Sequence, residues 1–125
     1  MPTIQPVIVT ADLARLRNFY ETLLGATEFT RVPEDGPVFY VGLRAGDGEL
    51  GLVAEATAQP GPAQRILISV DVPDVDAVLD QVEPAGGTVL GPPNDMPWGQ
   101  RVAHILDPDG NALNLTSAIP QPVAP

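Results

Sequence analysis

The sequence predicts an α+β fold built from two tandem βαβββ modules that form concave mixed sheets. Three observations carry that prediction. The first is an internal repeat. Asp12 and Asp74 each open an amphipathic stretch, and Asp47-Gly48 and Asp109-Gly110 each punctuate a strand-like run, at one shared offset (74 − 12 = 62 and 109 − 47 = 62). The second is periodicity: apolar residues recur at helical spacing after each of these opening aspartates. The third is turn chemistry, with Ala45-Gly46-Asp47-Gly48 and Asp107-Pro108-Asp109-Gly110-Asn111 each set between two strand-like runs, as in hairpins.

The elements follow in order. Residues 4–10 are β-branched and strand-like, with Pro6 marking an edge or an irregularity. Asp12 is a good N-cap, Leu13, Leu16, Tyr20, Leu23 and Leu24 form an apolar stripe, and Gly25 is a natural stop. Residues 27–32 form a second strand, and 38–44 with 50–55 form the first hairpin. Residues 56–65, rich in Pro, Gly and Ala, link the modules. The pattern restarts with a strand over 66–72. Pro73 and Asp74 open a helix with Val75, Val78, Leu79 and Val82 on one face, and Pro84 and two glycines end it. Residues 88–90 form a strand, 91–99 a loop, and 101–106 with 112–116 the second hairpin. A single domain of 125 residues is expected: module one over 4–55, the linker, module two over 66–116, and a Pro-rich extended tail over 117–125. Each helix must cover one face of its sheet to bury its stripe, leaving the other face open. Two such open faces, from one chain or from two, would enclose a ligand cleft.

Composition narrows the function. A 44% hydrophobic, 18% charged chain is globular, and no apolar run reaches the roughly 20 residues of a membrane span. The N-terminus lacks the basic and apolar regions of a signal peptide, so a cytoplasmic location is expected. A net charge of −10 argues against nucleic-acid binding. The chain has no Cys and no Lys, which removes thiolate and Schiff-base chemistry. Its serines, Ser69 and Ser117, lie outside any Gly-x-Ser-x-Gly elbow. One histidine, His104, cannot make a multi-histidine metal site within a chain.

Several segments resemble the vicinal oxygen chelate superfamily, which includes glyoxalase I, extradiol dioxygenases, fosfomycin-modifying enzymes and bleomycin-resistance proteins. They are Asp12-Leu13 with Asn18-Phe19-Tyr20 and Leu24-Gly25, Val75-Asp76-Ala77-Val78, Ala85-Gly86-Gly87, Met96-Pro97-Trp98-Gly99-Gln100-Arg101 and Asp107-Pro108-Asp109-Gly110-Asn111. The resemblance spans residues 4–116 and implies the glyoxalase/bleomycin-resistance fold of paired βαβββ modules. It does not decide between metalloenzyme and metal-free binder.

The resemblance also implies where metal ligands would stand, on the first and last strands of each module. Counting back seven from Asp12 puts the first slot on Gln5, and the offset of 62 carries it to Leu67 (5 + 62). The last-strand slot falls on Asn114, with Leu52 as its first-half counterpart (114 − 62). Gln, Leu, Leu and Asn supply neither an anionic ligand nor an imidazole, so no metal and no cofactor are expected. A shifted register would bring in Glu49 or Glu55, but both read better as exposed turn carboxylates.

Strand alternation yields the pocket. With 107–111 as the loop, His104 faces Asn114, and Val102, His104, Asn114 and Thr116 look into the cleft. The same arithmetic adds Tyr40, Gly42 and Leu52 from the first hairpin, Gln5 and Val7 from the first strand, and Leu67 and Ser69 from the fifth. Trp98 sits in the adjoining loop. Arg44 and Arg101 are the candidates to meet an anionic ligand. Trp98 and Tyr40 also have plain packing readings, and His104 lacks an orienting carboxylate for catalysis. Asp107 and Asp109 read as turn chemistry.

The expected function is therefore metal-free binding of a small molecule, resembling the bleomycin-resistance branch. An aromatic or amphipathic compound would be sequestered, often by a homodimer, with antibiotic resistance as the implied role. The alternative is a metal-dependent or His104-based lyase, isomerase or dioxygenase of the same fold. A third reading is a degenerate module that acts through a partner protein.

Overall fold

The computed structural model describes residues 4–59, 61 and 66–119. The remaining linker residues, 60 and 62–65, and the tail beyond 119 lie outside the described residues. The chain divides into two compact units after Gly61.

The first unit runs β1 (Val7–Thr10), α1 (Leu13–Leu24), β2 (Thr27–Val32), β3 (Tyr40–Ala45) and β4 (Gly48–Ala54). Its sheet has the order β1-β4-β3-β2, with β1 parallel to β4 and the other pairs antiparallel. The helix begins where the sequence places its cap: Asp12 Oδ1 accepts from the Arg15 N–H at 3.0 Å. It ends at Gly25, left-handed at φ 65°, whose N–H bonds to Glu21 O. Leu16, Phe19, Tyr20 and Leu23 bury the helix face, with Phe19 and Tyr20 packed edge to face at 5.1 Å. The sheet side of this core is Ile8, Val41, Leu43 and Leu52.

The second unit runs β5 (Ile68–Asp71), α2 (Val75–Val82), β6 (Thr88–Val89), β7 (Asn94–Asp95), β8 (Gln100–Leu106) and β9 (Ala112–Ala118). Its order is β5-β9-β8-β6, with β5 parallel to β9 and β7 paired to β8. Asp74 Oδ1 caps α2 through the Ala77 N–H at 3.3 Å. Val75 and Val82 pack with Ala103, Ile105, Leu113 and Leu115 as its core.

Three expectations change. The loop over 91–99 contains the short strand β7. The tail expected over 117–125 is corrected at its first residues, because Ser117 and Ala118 pair with Arg101 and Gln100 in the β8–β9 ladder, and its part beyond 119 lies outside the described residues.

The third change concerns the repeat. Arg44 pairs with Glu49 and Leu106 with Ala112, so four residues (45–48, of which Ala45 and Gly48 still pair) separate these partners in the first hairpin and five (107–111) in the second. The offset between units is 62 before that loop (104 − 42, 69 − 7) and 63 after it (114 − 51), since His104↔Asn114↔Ser69 matches Gly42↔Gly51↔Val7. A one-residue slip moves a strand's side chains to the opposite face. The counterpart of Asn114 is therefore Gly51, and Leu52, paired with Val41 and 0% exposed, belongs to the core.

Candidate functional site

Each unit presents one sheet face away from its helix, and most of the predicted site residues stand there. In the first unit the face holds Gln5, Val7 and Tyr40, with Tyr40 Oη donating to Gln5 Oε1 at 3.2 Å. Leu52 is the exception, and its placement in the pocket is corrected to the core for the reason given above.

Gly42 and Gly51 face each other across β3 and β4 and form the floor of this surface. A Cβ at Gly42 would lie 2.8 Å from Phe29 Cζ, and one at Gly51 would lie 3.1 Å from the Tyr40 ring and 3.2 Å from Val7 Cγ2. The two rings therefore lie low over bare backbone. Phe29 reaches this position through a β-bulge: Glu28 opposes Leu43 and Thr30 opposes Gly42, so Phe29 is the extra residue on β2. The Arg44 guanidinium lies 4.5 Å from the Phe29 ring centroid and also bonds Glu49 at 3.0 Å. Phe29 is 39% exposed, and Val7, Val9 and Val32 are also exposed. Phe29 is missing from the strand-alternation pocket because a bulge breaks period two. A glycine opposite a glycine was the available signal.

In the second unit, Leu90, His104, Asn114 and Ser69 form one cross-strand row, with the Leu90 N–H bonded to His104 O at 3.0 Å. The His104 ring meets Asn114, Nδ1 to Oδ1, at 2.5 Å. The next row is Asn94, Val102, Thr116 and Asp71, in which Thr116 Oγ1 donates to Asp71 Oδ1 at 3.0 Å. Val102 is only 6% exposed, so it lines this face as a covered residue. Leu67 is exposed and precedes β5 in register with Ser69. Trp98 does not pack into the core: it is 68% exposed, and its indole Nε1 donates to Gln100 Oε1 at 2.9 Å. Gln100 shares the face of Val102 and His104.

Charged groups stand mostly off these faces. Arg101 bonds Asp76 on α2 at 3.1 Å and Asp95 on β7 at 2.8 Å, which ties helix to strand and removes Arg101 as a free anion ligand. Those carboxylates, Asp95 foremost, hold its pKa above the ordinary arginine value. Glu28 receives two bonds from Arg31, and that hydrogen bonding holds its carboxyl below the usual range against the opposing effect of desolvation.

The donor chemistry does not fit a metal. The slots of the first unit are Gln5 and Gly51, and those of the second are Leu67 and Asn114. Gln5 Oε1 already accepts from Tyr40 Oη, Asn114 Oδ1 is engaged with His104 Nδ1, and no slot carries charge. Among the described residues no three His, Cys, Asp or Glu side chains gather as a metal site. No helix among them is long and apolar enough to cross a membrane.

Two βαβββ units, each with a helix on one sheet face and the other face open, define a class, and the comparisons agree. Residues 3–115 match the model of the Glyoxalase/Bleomycin resistance protein/Dioxygenase superfamily, and the chain belongs to that family. It is 34% identical over 116 residues to CFP32 of Mycobacterium bovis, provisionally named a glyoxylase; the match covers 87% of this chain but 42% of CFP32. It is 33% identical over 112 residues to the anthracycline biosynthesis protein DauV of Streptomyces sp. strain C5, covering 86% of this chain and 38% of that one. The chain thus spans less than half the length of these relatives. TioX from Micromonospora sp. ML1 shares the fold at TM-score 0.74 and 22% identity, over 95% of this chain and 100% of that one. The fosfomycin resistance protein FosX of Listeria monocytogenes shares it at 0.74 and 12%, over 94% and 93%.

Proposed function

We propose that this protein binds a planar aromatic or amphipathic compound on its open sheet faces without a metal, and that sequestration is its role. One observation carries the reading: the family's ligand slots hold Gln5, Gly51, Leu67 and Asn114, on faces otherwise furnished with exposed apolar and aromatic side chains. Phe29 and Tyr40 supply stacking surface, Gln5 and Asn114 supply uncharged hydrogen bonding, and Trp98 supplies a second aromatic element. The antibiotic-related names of relatives such as DauV support a ligand of natural-product type. We further propose a cytoplasmic homodimer. CFP32 is more than twice as long as the two-unit stretch it shares with this chain, so that relative has length for a second two-unit stretch, and two copies of this chain would supply the same number of units.

Titration of 2-naphthol and 9-aminoacridine against fluorescence of the sole tryptophan tests binding. Saturable quenching in metal-free buffer is the expected result. Stoichiometric uptake of Fe, Mn, Ni or Zn, with turnover of an α-ketoaldehyde adduct or a catechol, would establish a metalloenzyme instead. Light scattering should give a mass of two chains.

A further inference from the structure

The chain has one histidine, and its ring is oriented from one side. Asn114 stands opposite it in the β8–β9 ladder, and Asn114 Oδ1 meets His104 Nδ1 at 2.5 Å. A carbonyl oxygen only accepts, so Nδ1 carries the hydrogen and Nε2 of the neutral ring keeps its lone pair. The exposed Leu90 lies beside His104 on one side of the row, and Asn114 and then Ser69 follow on the other. This arrangement does not make a nucleophile. Asn114 lies between Ser69 and His104, and two strand spacings of about 4.8 Å separate a hydroxyl from its base too far for activation.

We propose that His104 Nε2 is a hydrogen-bond acceptor for the bound compound, and that the ligand class is a planar aromatic bearing an acidic hydroxyl, such as a phenol, naphthol or hydroxyquinone. The proposal rests on the binding reading above and narrows it. An imidazole nitrogen is a much stronger acceptor than an amide or hydroxyl oxygen, so it selects the most acidic donor a flat ligand can offer. Asn114 is the positioning residue: it fixes which nitrogen accepts. Leu90 supplies apolar surface beside the acceptor and so limits competing water.

The test has two arms. In the first, long-range 1H–15N correlation on uniformly labelled, ligand-free protein reads the single imidazole directly. The expected result for the neutral ring is a protonated Nδ1 and a bare Nε2. Asn114→Asp should preserve this and Asn114→Leu should abolish the preference. An Nε2–H tautomer, with the Asn114 amide turned to donate, overturns the proposal. In the second arm, 2-naphthol and 2-methoxynaphthalene are titrated in parallel. The naphthol should bind about fivefold tighter, as one net hydrogen bond provides, and should move the Nε2 resonance, while the ether should not. The preference should vanish in Asn114→Leu and return in Asn114→Asp. Equal affinities with an unmoved Nε2 would overturn this inference and leave the binding reading intact. Failure of both compounds to bind would overturn both.

Discussion

Asp107 is 2% exposed, and its carboxylate accepts from the Asp109 N–H at 2.9 Å, the Asn111 N–H at 3.0 Å and Asn111 Nδ2 at 2.9 Å. It closes the five-residue loop between β8 and β9, so the turn reading of Asp107 and Asp109 holds for Asp107. Its truncation leaves partly buried N–H groups without their acceptor, and Asp107→Ala should cost about 2–3 kcal/mol in urea unfolding. A smaller cost would mean that water or a neighbour replaces the carboxylate. Glu28 makes a pH-dependent contribution. Its pKa is lowered, chiefly by the Arg31 hydrogen bonds, so the folded state gains stability above the ordinary carboxylate range and loses it as pH falls through the lowered value. Glu28→Gln should therefore flatten the acid limb of the stability profile by lowering stability at neutral pH and leaving it unchanged in acid, and the loss should be small because the pair is solvent-screened. An unchanged acid limb in thermal melts from neutral pH downward would contradict this.

At the scale of elements, the two helices and most strands were legible in the sequence because their signals are local. Asp12 and Gly25 bound α1, and Asp74 opens α2, as read. What was not legible depended on counts and contacts that periodicity does not carry. One extra residue in the second hairpin loop shifts the repeat from 62 to 63 and turns Leu52 into the core. One bulge residue puts Phe29 on the open face. β7 is too short for a pattern. The bulge brings Phe29 over Gly42 beside the Tyr40 ring over Gly51, so that aromatic surface has a direct test. Gly42→Ala places a methyl group where Phe29 and Thr30 now lie. The flexible end of Phe29 can yield, so the melting temperature should fall only a few degrees. Affinity for a planar probe should drop about two- to tenfold as the ring is displaced. Unchanged affinity, read by fluorescence titration, would remove Phe29 from the binding surface.

At the scale of the whole molecule, the duplication preserves what folding needs and varies what chemistry needs. Both units retain a capped helix, a parallel pairing of first and last strands, and a β-hairpin. Their corresponding face positions differ: Tyr40 and Gly42 in the first unit match Val102 and His104 in the second. The first unit is thus an aromatic surface and the second a hydrogen-bonding row. Family membership, carried by residues 3–115, accounts for the scaffold, and the slots account for the expected loss of metal chemistry. The chain's single Trp, exposed at 68%, makes ligand binding visible without a label. The most direct measurement is a 2-naphthol isotherm by Trp98 fluorescence on protein dialysed against EDTA, repeated with Mn2+, Ni2+ or Zn2+ added and bound metal quantified in parallel. Saturable binding with one dissociation constant in every condition, and no stoichiometric metal uptake, is expected. Binding that appears only with metal, alongside one metal retained per site, would contradict the claim.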